Sequence, residues 1–231
     1  EPVYGFPAKW IDPQTREKAL AEGAIVFDPI SIIGSHLAEI ARTHAGVLFG
    51  RQELQTLLEH LKATIPTVVK EIGTESLPLA NVQRAFLLLL RERAWPRDPV
   101  TVLESMIACA ATSREPRDLA EAARREIVPA LLRRKEVREL EPMLLDPQLE
   151  RELMPANGAV ADPSVALRVR EEAEAYLQTV APYRSAVICT SAVRPMLADF
   201  LTRSGLRANV YSYSEVPPEV RLLPARIVKA A

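Results

Sequence analysis

The chain has 231 residues, 48% apolar and 26% charged, with 29 basic against 30 acidic side chains and a formal net charge of −1. That length suits one large domain or two modest ones around a real core. The near-zero charge excludes any overall electrostatic pull toward nucleic acid or an anionic membrane surface.

Nineteen prolines against eight glycines favour helices with defined stops over flexible linkers. The longest apolar run, Ala85 to Leu90, falls far short of the ~20 residues of a membrane span. Cys109 and Cys189 each lie in an apolar run, which suits reduced, buried thiols rather than a disulfide framework. The opening "EPVYGFPAKWIDP" carries no initiator methionine and reads as part of a longer protein.

In chain order, "DPQTREKALAEG" (Asp12 to Gly23) predicts a helix with an Asp-Pro start and a Gly stop. "AIVFD" predicts a short buried strand. "DPISIIGSHLAEIARTHAGVLF" predicts the next helix, again opened by Asp-Pro, with Gly50 breaking it before "RQELQTLLEHLKATI". Four helical segments follow: "PTVVKEIG", "LANVQRAFLLLLRERA", "DPVTVLESMIACAAT" and "EPRDLAEAARREIVPALLRRK". Periodic apolar residues of these segments and of the one before them, among them Leu57, Leu61, Val82, Phe86, Leu89, Met106 and Ile127, predict a common core. After Lys135 the texture changes: "VRELEPMLLD" reads as strand, "PSVALRVREEAEAYLQTVAP" as a long helix and "SAVICTS" as a buried strand. "AVRPMLADFLTRSG" reads as helix, and "ANVYSYSEV" and "VRLLPARIV" as strands. "PANGAVADP" is the one loose loop. The fold class is mixed α+β, a helical bundle followed by a small α/β layer with at least one parallel βαβ unit.

His36 and His44 invite a metal reading that spacing refuses. Eight residues of helix separate them by about 12 Å along the axis, beyond the ~2 Å bonds of a shared zinc. Ser35 and His36 diverge by about 100° as helical neighbours and cannot form a nucleophile–base pair. No metal and no cofactor is expected. In "ICTSAVRP" (188–195), Cys189, Thr190, Ser191 and Arg194 stand where a strand opens onto a helix, a place that binds anions in α/β sheets. No glycine permits close backbone approach there, so helix capping by Thr190 or Ser191 is the plainer expectation and a packed thiol the plainer reading of Cys189. A soluble α/β enzyme using this strand end is the alternative of another class. In "RERAWPRDP", Arg91, Trp95, Arg97 and Asp98 are candidates for an oligomer or partner contact. Asp98 before Pro99 also has the form of a helix N-cap. A nucleic-acid stack on Trp95 is the weaker alternative, opposed by the interleaved Glu92 and Asp98. The alternating charge of "RRKEVRELE" (133–141) reads as a solvated face.

Physics alone therefore gives a soluble two-part chain without a catalytic constellation. Further residues carry a resemblance. Ser35-His36-Leu37, Arg42-Thr43-His44-Ala45, Gly50-Arg51-Gln52-Glu53 and Pro66-Thr67-Val68-Val69 resemble, in order and spacing, the signature blocks of the type III export-gate (FlhA) family. "LLLLRERAWPRDPVTVLESM", "VICTSAVRPMLADFL" and "VYSYSEVP" are similar to its later blocks, and "PVYGFPAKWID" to the start of its cytoplasmic region.

The resemblance implies a non-catalytic fragment of the cytoplasmic region of a bacterial inner-membrane protein. In that family the region is a tower of four subdomains forming a homo-nonameric ring below an export channel. The implied division is 1–48, the end of a first mixed subdomain; 49–134, the helical subdomain; and 135–231, the α/β subdomain. The implied partners are export chaperones with their cargo, the ATPase complex, gate partner proteins and further copies of the chain, with no nucleic acid. By the same resemblance Ile32, Ser35 and His36 belong to the chaperone-binding face. The sequence departs from the family at Ser35, which replaces Thr, at Pro96 and at Gly73-Thr74. The "PVYGFPAKWID" segment and the Val-Phe-Asp-Pro motif favour a flagellar over an injectisome (virulence) gate.

Overall fold

The computed structural model of the chain describes residues 7–94, 97–154 and 162–230. One local rule starts many of its helices. Asp12, Asp28, Asp98, Asp146 and Asp162 each precede a proline, and each carboxylate accepts an N–H from the first turn: Gln14 (2.8 Å), Ser31 (2.9 Å), Val100 (3.0 Å), Gln148 (2.8 Å) and Ser164 (2.8 Å). The proline fixes φ where no amide is needed, and the aspartate satisfies one of the orphan donors.

The first of these opens a 3₁₀ turn (Pro13–Thr15) and α1 (Arg16–Ala21). The second opens α2 (Pro29–Thr43), followed by α3 (Ala45–Leu48). The strand expected in "AIVFD" does not form. Residues 24–28 are irregular, and Ile25 and Phe27 stand exposed, without a neighbouring strand to bury them. Neither α1 nor α2 has a fully buried residue. Ion pairing contributes to holding α2: Glu39 accepts from Arg93 at 2.5 Å and lies 3.7 Å from Arg207. The Arg93 hydrogen bond holds the Glu39 carboxyl below its usual range against the opposing effect of desolvation.

The helical core runs through α4 (Arg51–Lys62), α5 (Pro66–Glu71), α6 (Leu79–Arg91), α7 (Pro99–Ala110) and α8 (Pro116–Arg134). Gly50 breaks the chain before α4 as the sequence suggests. Its N–H donates to Glu53 at 2.8 Å, and a Cβ at residue 50 would meet the same carboxylate oxygen at 2.8 Å. Leu54, Val82, Phe86, Leu89, Leu103, Met106 and Leu119 form the centre, with Leu57, Leu61, Val68 and Ile72 packed around it.

The second half is a parallel sheet in the order β3-β2-β1-β4, with β5 also pairing β1. The strands are β1 (Glu139–Leu145), β2 (Ser185–Cys189), β3 (Val210–Ser212), β4 (Arg221–Leu222) and β5 (Arg226–Val228). The single last strand expected in "VRLLPARIV" is two. β4 pairs Glu139 and Leu140, and β5 pairs Met143 to Leu145 along the same edge. Pro224, which has no N–H for a ladder, lies in the break between them. Between β1 and β2 the chain forms α9 (Pro147–Leu153) and α10 (Pro163–Thr179), and between β2 and β3 it forms α11 (Arg194–Arg203). Met143, Leu149, Val169, Ala173, Tyr176, Val187 and Leu197 fill one side of the sheet. The Tyr176 hydroxyl accepts from the Ala186 N–H at 2.8 Å and donates to the Glu141 carbonyl, tying α10 to β2 and β1. Leu140, Ala186, Ile188 and Val220 form the smaller cluster on the other side.

What joins the helical core to the sheet is a buried set of charges. Arg194, at the start of α11, is 0% exposed. It donates to Glu121 of α8 through Nε (2.7 Å) and Nη2, and to Glu92 after α6 through Nη1 (2.6 Å) and Nη2 (3.2 Å). Arg124 of α8, also buried, donates to the same Glu92 at 2.7 Å, to Glu215 at 2.7 Å and to the Val210 carbonyl of β3 at 3.2 Å. Glu215 closes the set by accepting from the Ser212 N–H at 2.7 Å. Burial alone would lower the Arg194 pKa, but the Glu92 and Glu121 carboxylates outweigh it and raise it. Burial raises the Glu121 pKa even against the pull of Arg194.

Two outcomes follow. Arg194→Ala leaves Glu92 and Glu121 without their shared partner and is expected to cost about 3–5 kcal/mol in urea unfolding, as for other broken buried pairs; a loss below about 1 kcal/mol, the range of an exposed pair, would contradict the burial. Glu121 binds its proton more readily folded than unfolded. Its contribution is therefore fully present below the unfolded carboxylate range, near pH 4.3, and is lost as pH rises through the raised folded value. The stability of wild type minus that of Glu121→Gln should fall as pH rises above the unfolded carboxylate range. A difference that rises instead would reverse the sign.

Candidate functional site

The strand end at 188–195 is the place where sequence most invites chemistry. It is already filled by the protein's own groups. Glu150 of α9, itself buried, accepts from the Thr190 N–H at 3.0 Å and from the Thr190 hydroxyl at 2.6 Å. An internal carboxylate thus takes the donors that an external anion would need. Contrary to the expectation from sequence, neither Thr190 nor Ser191 caps α11. The N-cap is Val193, without a side-chain cap, and the Thr190 carbonyl accepts from the Val193 and Arg194 amides. Arg194 turns away from the strand end into the Glu92–Glu121 set. Cys189 is fully buried, and burial, with the Glu150 carboxylate adding to it, pushes its thiol up to about 12. A thiol that stays protonated at neutral pH is not a nucleophile. Cys109 departs from the expectation of full burial. It is half-buried near the end of α7, its pKa also raised by desolvation.

The face singled out on α2 is of another kind. Ile32 is half-buried, while Ser35 and His36 are exposed. Around them Ile30, Ile33, Leu37 and Ile40 are exposed as well, Ile30 at 81%. The apolar periodicity of this helix therefore points outward, although its spacing matches that of a core helix. Ser35 and His36 form part of a contiguous apolar-and-polar surface rather than a catalytic pair. A run of exposed branched apolar side chains is the ordinary mark of an interaction face.

The candidates after α6 separate. Asp98 caps α7, accepting from the Val100 amide and, at 2.6 Å, from the Thr101 hydroxyl; the hydroxyl is the main cause of its lowered pKa. Arg97 is exposed. Arg91 lines a cavity between α6, α8 and α11. Trp95 lies outside the described residues. Sequence reading missed the main role in "RER": Glu92, weighed there only as an acid opposing a nucleic-acid stack, is the acceptor shared by Arg124 and Arg194. Only a partial signal stood in α8, where Glu121 and Arg124 are three apart and so share a face among the alanines of "LAEAARR"; nothing in it points to Glu92.

Cys189 should therefore resist alkylation in the native protein at pH 8 and react only after unfolding, with Cys109 modified first. Rapid native labelling of Cys189, followed by mass spectrometry of the peptides, would contradict the packing.

With this geometry in place, the likeness to known proteins is informative. The FHIPEP family model matches residues 1–221. Among curated relatives, the flagellar biosynthesis protein FlhA of Proteus mirabilis is 30% identical over 94% of this chain and 32% of its own length. That of Bacillus subtilis is 37% identical over 46% of this chain and 16% of its own length. The chain thus spans about a third or less of these relatives. Among solved structures, Chlamydia pneumoniae CdsV superposes with a TM-score of 0.81 at 21% identity, over 98% of this chain and 68% of that one. A nonameric SctV-C from EPEC gives 0.75 at 18%, over 94% of this chain and 68% of that one. At these identities the structures establish the fold, and it is the mixed α+β fold described above. The family match over nearly the whole chain establishes the rest: the chain belongs to the FHIPEP family of type III export-gate proteins, that of flagellar FlhA.

Proposed function

We propose that this chain is a cytoplasmic part of a bacterial inner-membrane export gate, working without catalysis as a docking and assembly platform. The observation that carries the reading is the outward-facing α2, where Ile32, Ser35 and His36 sit within an exposed apolar surface. The occupied strand end supports the non-catalytic part, since neither Thr190 nor Arg194 is left to receive a substrate. Export chaperones with their cargo are the partners of the α2 face, and the chain works as one subunit of a nonameric ring. The solved nonameric relative and a relative described as a CdsV and CdsO complex support self-association and contact with other export components. The flagellar reading is preferred to the injectisome one because the curated relatives quoted above are flagellar biosynthesis proteins. The division at 1–48, 49–134 and 135–231 is proposed as functional: the first carries the docking face, and the other two are units with separate apolar cores.

The test is Ser35→Met in a protein containing the whole cytoplasmic region. The side chain is exposed, so the melting free energy should change by no more than about 0.5 kcal/mol. Affinity for a chaperone–cargo complex should fall by about 1–3 kcal/mol if Ser35 belongs to the binding hot spot. A variant that melts normally and binds as tightly as its parent would remove Ser35 from the face.

A further inference from the structure

Directly over the buried charges, α6, α8 and α11 enclose a cavity of about 170 Å³. Its rim carries Arg91 from α6, Arg117 from α8 and Arg203 from α11, all exposed. Arg203 pairs with Asp199 at 2.8 Å, one turn back on its own helix. Neither Arg91 nor Arg117 makes an ion pair among the described residues. Arg91 is kept in place by packing, its stem lying over Gly46 of α3, where a Cβ would meet Arg91 Cγ at 3.9 Å. The floor is Arg194 with Glu92 and Glu121, whose carboxylates are already engaged by guanidinium groups.

We propose that this cavity is a recognition pocket for one acidic side chain of a partner protein, read by the Arg91 and Arg117 guanidinium groups. Size selects the class of ligand. Small-molecule sites run to about 300–1,000 Å³, so this cavity takes a single side chain rather than a metabolite. Charge selects the sign. Among the lining residues Arg91, Arg117, Arg194 and Arg203 outnumber Glu92, Glu121 and Asp199 by one, and the two that make no ion pair among the described residues are guanidinium groups, which bind a carboxylate as a planar fork. The wall selects a carbon stem, because Leu88, Ala120 and Pro195 line it as apolar surface. A phosphate is less well served. Pro195 occupies the first turn of α11 and supplies no N–H, so the helix start lacks part of the amide cradle that phosphates use.

The three rim arginines come from both sides of the junction that Arg124 and Arg194 hold shut. An acidic side chain seated among them binds only the docked arrangement of the two halves and so favours it. The pocket stands apart from the α2 face and from the export reading, and it is tested on the 231-residue chain alone.

The experiment is an NMR titration, at low salt, with a blocked alanine-rich peptide carrying one glutamate, set beside its glutamine counterpart and inorganic phosphate. Saturable binding of the glutamate peptide alone is expected. Arg117→Glu and Arg91→Glu should weaken it by about tenfold or more at unchanged melting temperature. Arg134→Glu, at the far end of α8, should leave it unchanged. Equal binding of the two peptides would overturn the pocket. So would an equal loss in Arg134→Glu, which would mean a diffuse field, or displacement of the peptide by phosphate at comparable concentration, which would make it a general anion site.

Discussion

A guanidinium without exposed surface obliges everything around it. Removing an ion from water costs several kcal/mol even after relaxation, and the cost is recovered only when every donor finds an acceptor in good geometry. Arg194 places every guanidinium nitrogen on a carboxylate, Glu92 after α6 or Glu121 of α8, and Arg124 places one bond from each nitrogen on Glu215, Glu92 and the Val210 carbonyl. Because the acceptors lie on the helical core and on the loop after β3, neither half satisfies these charges alone. The apolar clusters build each half; the charges specify how the halves meet. Hydrophobic packing at such a junction would tolerate sliding, whereas forked hydrogen bonds fix both distance and orientation.

The same logic explains why the donors at the strand end are already taken. In parallel α/β layers the carboxyl ends of the strands are the usual place for a ligand. Here Glu150 fills it from inside and Arg194 is drawn away to the junction. Cys189, packed beneath, keeps its proton. A site that binds its own carboxylate is a structural joint between α9 and β2. The two surfaces proposed for partners, the apolar outward face of α2 and the arginine-rimmed cavity, differ in chemistry and lie on different parts of the chain.

Much of this was legible in the sequence, and what was not has a physical cause. Asp-Pro at 28, 98 and 162 announces helix starts because both residues act locally, and the same pair at 146 announces α9, which the strand-like texture of "EPMLLD" hid from the reading. "AIVFD" misled because apolar β-branched residues describe a strand only when another strand is present to pair with it. Ile25 and Phe27 have none. The helix over Ser35 was readable from its period, but period tells which residues share a face and not whether that face is covered; Ile30 and Leu37 proved exposed. Least legible was the junction. Glu92 and Arg194 are 102 positions apart, and each sits in a local context with an ordinary surface explanation. Their meeting is a product of the fold, and no spacing in the chain encodes it.

The central claim is that these charges make one cooperative unit of two separately cored halves. The direct measurement is urea unfolding of the wild type and of Arg194→Met/Glu92→Gln/Glu121→Gln, followed by native-state hydrogen exchange of α7 amides for the helical core and β2 amides for the sheet. In the wild type both sets should report the same unfolding free energy. In the triple variant, which leaves no carboxylate stranded beside a missing Arg194, they should report different ones while each half keeps its secondary structure. Coincident unfolding of both halves in that variant would show that apolar contact alone couples them and would contradict the account.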